Sequence, residues 1–322
     1  MNLSQDIKQK AVELGFDAAG VTDAGSLDER QFRFFSDWLA CGFAGRMDYM
    51  HKDLEKRTNP ARHLEGAQSV ICVGLNYKPA EQKEISPSSN VPAGRAANWA
   101  QYEDYHIFIK KLLCRLVEFI SGAAGKSFKY KICVDSAGLA ERAMAARAGL
   151  GFIGKNHTLI SPRSGAQIFL GEIITDLRLQ ADVSIEDGCS GCNRCVSACP
   201  TGALRPDGQF DANRCISYLT IEYKGQIPAE LTGKIGDRLF GCDECVLACP
   251  WCERSPACGN KEFKFYSGRA RLDLNKILSL NKETFRAEFA GSVFERCGVE
   301  GLKRNARICL ANIEGRTRKA GQ

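Results

Sequence analysis

Two runs of cysteines have the spacing of iron-sulfur ligands. The first reads Cys189-Ser-Gly-Cys192-Asn-Arg-Cys195-Val-Ser-Ala-Cys199-Pro200 and reproduces the C-x2-C-x2-C-x3-C-P pattern of bacterial ferredoxins. Three closely spaced thiolates can bind three irons of one cluster, whereas the cysteine before the proline is carried to a second cluster. One such run therefore predicts a partner run elsewhere in the chain.

The second run is one cysteine short, and an isolated cysteine can complete it. This run reads Gly241-Cys242-Asp-Glu-Cys245-Val-Leu-Ala-Cys249-Pro250, and Cys215 stands alone between the two runs. The crossing rule then predicts two [4Fe-4S] clusters. One cluster would be held by Cys189, Cys192, Cys195 and Cys249, and the other by Cys199, Cys215, Cys242 and Cys245.

Structural zinc is the alternative for these cysteines, because C-x2-C pairs also form zinc sites with four thiolate ligands. Zinc explains neither the triple spacing nor the proline after the last cysteine of each run. The spacing therefore favours iron-sulfur clusters. A protein that only relays electrons would share this spacing, so the reaction must be inferred from other residues.

Asp135 is the second candidate for chemistry. It follows the apolar segment 130–134 and precedes Ser136-Ala137-Gly138, a turn that leads into a predicted helix. A carboxylate at the C-terminal end of a strand can face the crevice in which layered α/β proteins bind ligands. Apolar neighbours such as Val134 and Leu139 are expected to raise its pKa, which would keep a proton available near neutral pH. The alternative is that Asp135 caps the helix that follows.

A glycine-rich loop provides a third candidate site. It reads Gly149-Leu-Gly151-Phe-Ile-Gly154-Lys155-Asn156 and follows a predicted helix, so the dinucleotide-binding fingerprint, which follows a strand, does not apply. Glycines still let backbone amides approach a large polar ligand, and Lys155 and Asn156 add a cation and an amide. The four histidines share no spacing with one another or with acidic residues, so we expect ordinary core or surface roles for them.

Strands and helices alternate over roughly the first 180 residues and must position these groups. Apolar periodicity predicts helices near residues 4–15, 27–41, 104–121 and 139–148, and strands near 18–22, 70–73, 130–134, 157–161 and 166–175. We expect the aromatic face of the second helix, with Phe32 and Phe35, to be core. Residues 78–100 contain three prolines without periodicity and are predicted to form a long loop.

This order of elements predicts an α+β fold with three parts. Residues 1–180 would form an α/β layered domain, residues 181–258 a ferredoxin-like domain with two clusters, and residues 259–322 a short helical segment. The last part is basic, with 14 Lys or Arg against 7 Asp or Glu, although the whole chain carries only +6. Such a segment is either a solvated helical face with a frayed tail or a surface that grips a polyanion such as RNA.

Composition indicates a globular protein of the cytoplasm. The 322 residues are 44% hydrophobic and 25% charged, and the chain lacks both an apolar run of membrane-spanning length and the apolar core of a signal peptide. Eight of the sixteen cysteines have cluster spacing, and clusters need reduced thiols, which agrees with a reducing compartment. We expect a monomer that has no membrane attachment.

Further motifs resemble those of the epoxyqueuosine reductase (QueG) family. In chain order they are Gly45-Arg-Met-Asp-Tyr-Met50, Gly74-Leu-Asn-Tyr77, Asp104-Tyr-His106, Val134-Asp135-Ser, Glu141-Arg142-Ala143, Arg147-Ala-Gly-Leu-Gly151, Gly154-Lys-Asn156, Phe169-Leu-Gly-Glu-Ile173, Arg214-Cys-Ile-Ser-Tyr-Leu-Thr-Ile-Glu222 and Cys249-Pro-Trp251. A weaker similarity follows in Leu302-Lys-Arg-Asn-Ala306. The similarity therefore covers most of the chain.

The resemblance implies an oxidoreductase that depends on cobalamin and two [4Fe-4S] clusters and performs the last step of queuosine biosynthesis. Such an enzyme reduces the epoxide of epoxyqueuosine at the wobble position of tRNA. By this resemblance, residues 1–180 bind cobalamin and Asp135 donates a proton to the epoxide oxygen. The residues that fall where the family surrounds the corrin ring are Arg57, Gly154, Lys155, Asn156, Ser217 and Gly241.

The implied partners are a tRNA of the queuosine family and an external electron donor. Lys224 and the basic segment 259–322 are the candidates for contact with the tRNA backbone. A relay of electrons would need neither Asp135 nor the α/β half, which argues against that alternative.

The sequence departs from the family pattern at three places. Residues 97–103, Ala-Asn-Trp-Ala-Gln-Tyr-Glu, differ from the usual segment before Asp-Tyr-His, His157 replaces a threonine, and Cys252 replaces an asparagine. The altered segment is the one feature that favours a related cobalamin reductase with another substrate. None of the three departures changes Asp135 or the eight cluster cysteines.

Overall fold

The computed structural model describes residues 2–80 and 91–320, except for the side chains of residues 316–320. Within that range the α-helices are α1 (Leu3–Glu13), α2 (Glu29–Ala40), α3 (Leu54–Thr58), α4 (Tyr105–Ala123), α5 (Glu141–Arg147), α6 (Arg194–Ala198), α7 (Ile216–Ile221), α8 (Ala229–Ile235), α9 (Glu244–Leu247), α10 (Pro250–Arg254), α11 (Leu274–Ser279), α12 (Lys282–Phe289) and α13 (Gly298–Ala320). Four of these helices, α1, α2, α4 and α5, confirm the helices predicted in the first half of the chain.

The strands of the described residues are β1 (Ala18–Asp23), β2 (Ser69–Asn76), β3 (Ala93–Ala96), β4 (Tyr130–Cys133), β5 (Phe152–Ile153), β6 (Leu159–Ile160), β7 (Ile168–Thr175), β8 (Arg238–Phe240) and β9 (Arg271–Asp273). Short 3-10 helices lie at Asp48–Met50, Pro60–Arg62, Asn98–Gln101, Ala212–Arg214, Ser267–Arg269 and Val293–Arg296. The five predicted strands are confirmed as β1, β2, β4, β6 and β7.

The N-terminal half is built on a four-stranded antiparallel sheet in the order β1-β2-β7-β4. Every residue of the central strands β2 and β7 is buried. Alternate residues of β2 face opposite sides: Ile71 and Val73 belong to the core with α1 and α4, whereas Val70 and Cys72 belong to the core with α5. Helices thus cover both faces, which confirms the layered α+β architecture.

A second core joins the cysteine-rich part of the chain to the C-terminal helices. It contains Leu219 of α7, Leu239 of β8, Phe289 of α12 and Leu302 of α13, all nearly inaccessible to solvent. The C-terminal helices therefore have a buried apolar face. Among the described helices, none combines the length and hydrophobicity that crossing a bilayer requires.

Part of the predicted long loop is ordered as a strand. Strand β3 pairs in parallel with β8 and antiparallel with β9, so residues 93–96 connect the two halves of the molecule. The loop prediction is wrong for these residues because long-range pairing supplies order that a local apolar pattern does not show. Residues 81–90 of that prediction lie outside the described residues.

The aromatic face of α2 is less buried than predicted. Leu39 is the buried residue of this helix, whereas Phe32 and Phe35 are only half-buried and Phe34 is 51% exposed. Phe34 stacks on His157 with 5.9 Å between ring centroids. The prediction of a core helix is wrong because α2 lies at the surface, where its aromatic rings have few partners.

Candidate active site and cluster sites

Asp135 lies in a turn directly after β4, in the left-handed backbone region at φ 52°. Its backbone N–H donates to the carboxyl group of Glu141, the first residue of α5. The N-cap of α5 is Ala140, so the alternative that Asp135 caps this helix is wrong. With 60% of its side chain exposed, Asp135 is free to meet a ligand.

His106 joins Asp135 to a second carboxylate. Asp104 caps α4, where its Oδ1 accepts a hydrogen bond from the backbone N–H of His106 at 2.9 Å and lies 2.7 Å from Nδ1 of the His106 ring. The other ring nitrogen, Nε2, lies 3.1 Å from Oδ2 of Asp135. The imidazole is therefore held between two carboxylates, an arrangement that favours its charged form.

The electrostatics of this pair place the proton on the histidine. Burial alone would lower the pKa of His106, but hydrogen bonds to Asp104 and Asp135 outweigh it and raise the pKa to about 9. The hydrogen bond from His106 lowers the pKa of Asp135, burial opposes that effect, and Arg296 and Arg142 add to the lowering. The predicted rise in the pKa of Asp135 is therefore wrong, because charged groups rather than apolar flanks surround its carboxylate.

Two arginines from distant parts of the chain act on Asp135. Arg296 binds Glu222 through two hydrogen bonds of 2.7 and 2.9 Å, and its guanidinium lies 5.5 Å from the ring centroid of Tyr49. Arg57 donates from Nη2 to the carbonyl oxygen of Tyr49 at 2.6 Å. Its Nε is buried and lacks a hydrogen-bond partner within the described residues. Arg57, a predicted cobalamin contact, therefore has a buried N–H donor that a ligand could satisfy.

The Lys155–Asn156 loop contacts both cysteine runs. Nζ of Lys155 donates to the carbonyl oxygen of Cys192 and to Oδ1 of Asn193, both at 2.9 Å. Nδ2 of Asn156 donates to the carbonyl oxygen of Cys245 at 3.4 Å. This loop therefore connects the sheet half of the molecule to both predicted cluster sites.

The glycine before this loop is closely packed. A Cβ at Gly154 would lie 2.3 Å from Cδ1 of Ile160 and 2.9 Å from Oδ1 of Asn156. A side chain at this position would therefore require the side chains of Ile160 and Asn156 to shift.

The first predicted quartet surrounds a cavity of about 240 Å³. Lys155 and Trp251 line this cavity together with the four cysteines Cys189, Cys192, Cys195 and Cys249. Burial raises the pKa of Cys189, and the neighbouring Cys249 thiolate contributes to the rise. Cys252 is buried beside the cavity and its Sγ accepts a hydrogen bond from the Ala166 N–H at 3.1 Å.

The second predicted quartet is also brought together. Burial raises the pKa of Cys245, and the neighbouring thiolates of Cys215, Cys242 and Cys199 contribute to the rise. Among the described residues, no three His, Cys, Asp or Glu side chains converge closely enough to hold a single metal ion. A [4Fe-4S] cluster binds each thiolate through a different iron, so its ligands are spread around a cube.

The remaining predicted cobalamin contacts lie beside the second quartet. Ser217 is on α7, two residues after Cys215, and Gly241 precedes Cys242 with φ 74°. A Cβ at Gly241 would lie 2.7 Å from Cβ of Ala97. The unusual segment 97–103 therefore packs against the Gly241 turn, and the backbone N–H of Asn98 donates to Asp243 at 2.5 Å.

Two of the basic residues predicted from sequence as RNA contacts also hold the C-terminal helices in place. Nζ of Lys224 donates to the carbonyl oxygens of Ile221 at 3.1 Å and Arg296 at 2.5 Å. Arg304 donates to the carbonyl oxygens of Tyr223, Gly225 and Leu219. These contacts give both cations a structural role, although Lys224 is exposed and Arg304 is partly buried.

Further exposed cations lie beside Asp135. A groove of about 650 Å³ is lined by His106, Lys110 and Lys111 on α4 and by Ser136 of the Asp135 turn. This groove is open to solvent directly next to the candidate acid.

Sequence reasoning missed three groups that the fold brings to Asp135: His106, Glu141 and Arg296. The first two belong to motifs that carried the family resemblance without an assigned role. No local pattern in the sequence indicates a role for Arg296. Only the fold shows that it binds Glu222, the last residue of the motif that begins at Arg214.

Two family models match the chain. A 4Fe-4S double cluster binding domain matches residues 188–252. The model described as "Epoxyqueuosine reductase QueG, DUF1730" matches residues 57–136, a span that includes both Arg57 and Asp135. The cysteine-rich part is therefore a double [4Fe-4S] cluster domain, and the zinc alternative does not apply.

Curated relatives and solved structures agree with these matches. An epoxyqueuosine reductase from Leadbetterella byssophila is 40% identical over 94% of this chain and 96% of its own length. A crystal structure of epoxyqueuosine reductase with a tRNA-Tyr epoxyqueuosine-modified stem loop has 31% identity and a TM-score of 0.89 over 96% of this chain and 81% of that chain. Another structure, from Bacillus subtilis, has 31% identity and a TM-score of 0.88 over 96% of this chain and 81% of that chain, and is described with its aspartate catalytic loop swung out of the active site.

Proposed function

The chain belongs to the epoxyqueuosine reductase family, and from that premise we propose that it reduces epoxyqueuosine to queuosine at the wobble position of tRNA. The premise is supported by relatives that are similar over nearly the whole chain. A related structure holds an epoxyqueuosine-modified stem loop, which supports tRNA as the substrate here. We place the activity in the cytoplasm, where tRNA is modified.

The hydrogen bond between His106 and the exposed Asp135 carries this proposal. Opening an epoxide leaves negative charge on its oxygen, which must be protonated as the C–O bond breaks. His106 holds a proton up to about pH 9, and the Asp135 carboxylate beside it is 60% exposed. The proton can pass from His106 to Asp135 and from Asp135 to the epoxide oxygen, which assigns Asp135 as the proton donor.

The arginines beside Asp135 complete the acid site. Arg296 and Arg57 both act electrostatically on the Asp135 carboxylate. Fixed cations next to the reacting oxygen stabilise the negative charge that develops on it. The bidentate contact with Glu222 fixes the Arg296 guanidinium in one orientation. We therefore assign Arg296 as a residue that stabilises charge during epoxide opening.

The double-cluster domain supplies the electrons. We assign Cys189, Cys192, Cys195 and Cys249 to one [4Fe-4S] cluster, because these four thiols line one cavity. We assign Cys199, Cys215, Cys242 and Cys245 to the other, because their thiolates act on one another. The electrons come from an external donor and reach the substrate through these clusters one at a time.

Cobalamin is the further cofactor of this proposal, and the unpaired Nε of Arg57 fits it. The corrin ring carries amide groups whose oxygens accept hydrogen bonds, so one of them can satisfy this buried donor. When bound, cobalamin supplies a redox-active cobalt that can react at the carbon of a C–O bond. The residues that would hold it are Arg57, Gly154, Lys155, Asn156, Ser217 and Gly241. The side chains of Lys155 and Asn156 already bind the cysteine loops, so we propose that this loop meets the corrin through its backbone.

Nucleoside analysis of tRNA from a strain that lacks this protein tests the proposal. We expect epoxyqueuosine to accumulate, and the wild-type protein, but not Asp135→Ala, to restore queuosine. Normal queuosine in the deletion strain would refute the proposed function.

A further inference from the structure

A fully buried carboxyl group lies behind the Asp135 turn. Glu172 is in the middle of β7 and is completely inaccessible to solvent. In the sheet it stands between Cys72 of β2 and Cys133 of β4, to which it is paired in register. Neither of its carboxyl oxygens has a hydrogen-bond donor within the described residues.

The surroundings of Glu172 require that it carry a proton. An ionised carboxylate without a donor in a protein core loses its hydration without compensation, so such a group binds a proton instead. The neighbour that interacts with it directly is another carboxyl group, that of Glu141. Two carboxyl groups can share a hydrogen bond only when one of them is protonated. Burial, together with the charge of the partner, raises the pKa of Glu172.

Glu141 connects this buried proton to the active site. One of its carboxyl oxygens accepts a hydrogen bond from the backbone N–H of Asp135. Burial and then the negative charge of Asp135 raise the pKa of Glu141. Glu141 thus interacts with the Glu172 carboxyl group on one side and with the backbone of Asp135 on the other, and it lies between the sheet interior and the exposed turn.

The proposed reaction needs more protons than one donor holds. Conversion of an epoxide to an alkene and water breaks two C–O bonds, forms one C=C bond, and takes up two electrons and two protons. The clusters deliver the electrons. The first proton converts the opened oxygen to a hydroxyl group, and the second allows that group to leave as water. The His106–Asp135 pair holds only one of these protons.

We propose that Glu172 and Glu141 store the second proton and pass it to Asp135 after Asp135 has protonated the substrate. This inference rests on the proposed function and assigns the pair as a proton relay that does not itself touch substrate. Once Asp135 has given up the proton from His106, its carboxylate is a base whose charge acts on both buried carboxyl groups. The second proton then moves outward from the buried pair to Asp135, and solvent restores it after the product leaves.

Charged groups around the pair are consistent with this role. On the Glu172 side, the titratable neighbours are the thiols of Cys72 and Cys133, and burial raises the pKa of both. On the Glu141 side, they are Asp135 and His106. Arg147, Lys131 and Lys56 act on the two thiols and lower the pKa of one or the other.

Glu172→Gln tests the relay, because the amide has the shape of a protonated carboxyl group but cannot release a proton. Single-turnover reduction of epoxyqueuosine-containing tRNA is followed from pH 6 to 8 with pre-reduced holoenzyme. We expect a loss of about 100-fold or more in rate, which starts at the lower end of the range typical of a missing proton donor. We also expect partial recovery with rising concentration of a small weak acid, which a purely structural defect would not show. Glu283→Gln, a change at an exposed carboxylate of α12, is the matched control.

Infrared spectroscopy tests the stored proton without turnover. In cluster-loaded protein with 13C-labelled glutamate, we expect a C=O band of a protonated carboxyl group at neutral pH that is absent in Glu172→Gln and present in Glu283→Gln. If Glu172→Gln does not fold, Glu141→Gln replaces it in the rate measurement, because its amide oxygen can still accept from the Asp135 N–H.

The outcomes separate this inference from the proposed function. Wild-type protein that does not reduce the tRNA refutes the proposed function, whatever the spectrum shows. If the wild type is active and Glu172→Gln matches its rate across the pH range, the relay alone is refuted. A wild-type spectrum without the C=O band of a protonated carboxyl group also refutes the relay alone.

Discussion

Nε2 of His106 lies 3.1 Å from Oδ2 of Asp135, while the other ring nitrogen lies 2.7 Å from Oδ1 of Asp104. The histidine thus gives a surface carboxylate a proton partner whose own position is fixed by the N-cap of α4. We propose that this pair acts as an acid at neutral pH, in which His106 stores the proton and Asp135 presents it.

Replacing Asp135 should separate catalysis from assembly. Asp135→Ala should lose about 10²- to 10⁴-fold in turnover, the range typical of a general acid. Iron and cobalt content should remain that of the wild type, because the side chain is 60% exposed and contacts neither cysteine quartet. Metal analysis and single-turnover kinetics measure the two effects. Full activity in this variant would remove Asp135 from the reaction.

The charge on His106 predicts how stability depends on pH. Its pKa is raised from 6.5 to about 9 in the folded protein, so the folded state binds more protons than the unfolded state between these values. The stabilisation is therefore complete below about pH 6.5 and is lost as the pH rises through 9. The difference in thermal stability between wild type and His106→Asn should follow this course. A difference that is constant from pH 6 to 10 would contradict the charged pair.

The same residue should set the alkaline limit of activity. We expect wild-type turnover to fall above pH 9, where His106 loses its proton. His106→Asn should be slower at neutral pH and should lack this alkaline limb. His51→Asn, a change at an exposed histidine whose ring has no assigned role, serves as the control. If the loss of turnover above pH 9 persists unchanged in His106→Asn, a group other than His106 causes that loss.

Cys215 should be needed for one cluster only. Cys215→Ser should retain about half of the iron and sulfide, since the quartet of Cys189 and its partners is intact. Cys258→Ser is the control, because Cys258 lies after the second run and outside both quartets. Iron analysis and electron paramagnetic resonance of the reduced proteins measure the result. Wild-type iron content in Cys215→Ser would show that another residue completes the second cluster.

Exposed lysines of the groove beside Asp135 should bind tRNA phosphates. The double variant Lys110→Ala/Lys111→Ala should weaken tRNA binding more at low salt than at high salt and should reduce the salt slope of log Kd by roughly 1–2. Lys261→Ala/Lys282→Ala makes the same charge change in the basic C-terminal segment. Filter binding over a range of salt concentrations compares the two. If only the second pair weakens binding, the C-terminal segment is the RNA-binding surface.

Asn305 should be essential for the stability of the C-terminal helix. It is fully buried and donates to the carbonyl oxygens of Thr220 and Leu239. Asn305→Ala leaves both carbonyls without this donor, which should cost about 2 kcal/mol or more. Arg307→Ala, at an exposed position of the same helix, should cost little. Anaerobic thermal unfolding measures both, and equal melting temperatures would contradict the buried role.

The sequence was most informative where ligand spacing or apolar periodicity carries the signal. Cysteine spacing predicted a double cluster, and periodicity predicted the helices and strands of the layered half. The pKa of Asp135 was predicted in the wrong direction, because the flanking residues Val134 and Leu139 do not indicate that His106, 29 positions earlier in the chain, lies against its carboxylate. Contacts of this kind depend on tertiary structure and leave no local pattern. The same reason explains why residues 93–96 form a strand within a predicted loop.

The contacts of Lys155 and Asn156 with both cysteine runs have a consequence for the maturation of the enzyme. Each of these side chains binds a carbonyl oxygen in a loop whose shape is set by the thiolates on either side. A newly made chain without its clusters would lack fixed partners for them, and the segment between β5 and β6 would be incompletely ordered. Iron supply would then determine how much of the protein reaches its finished form.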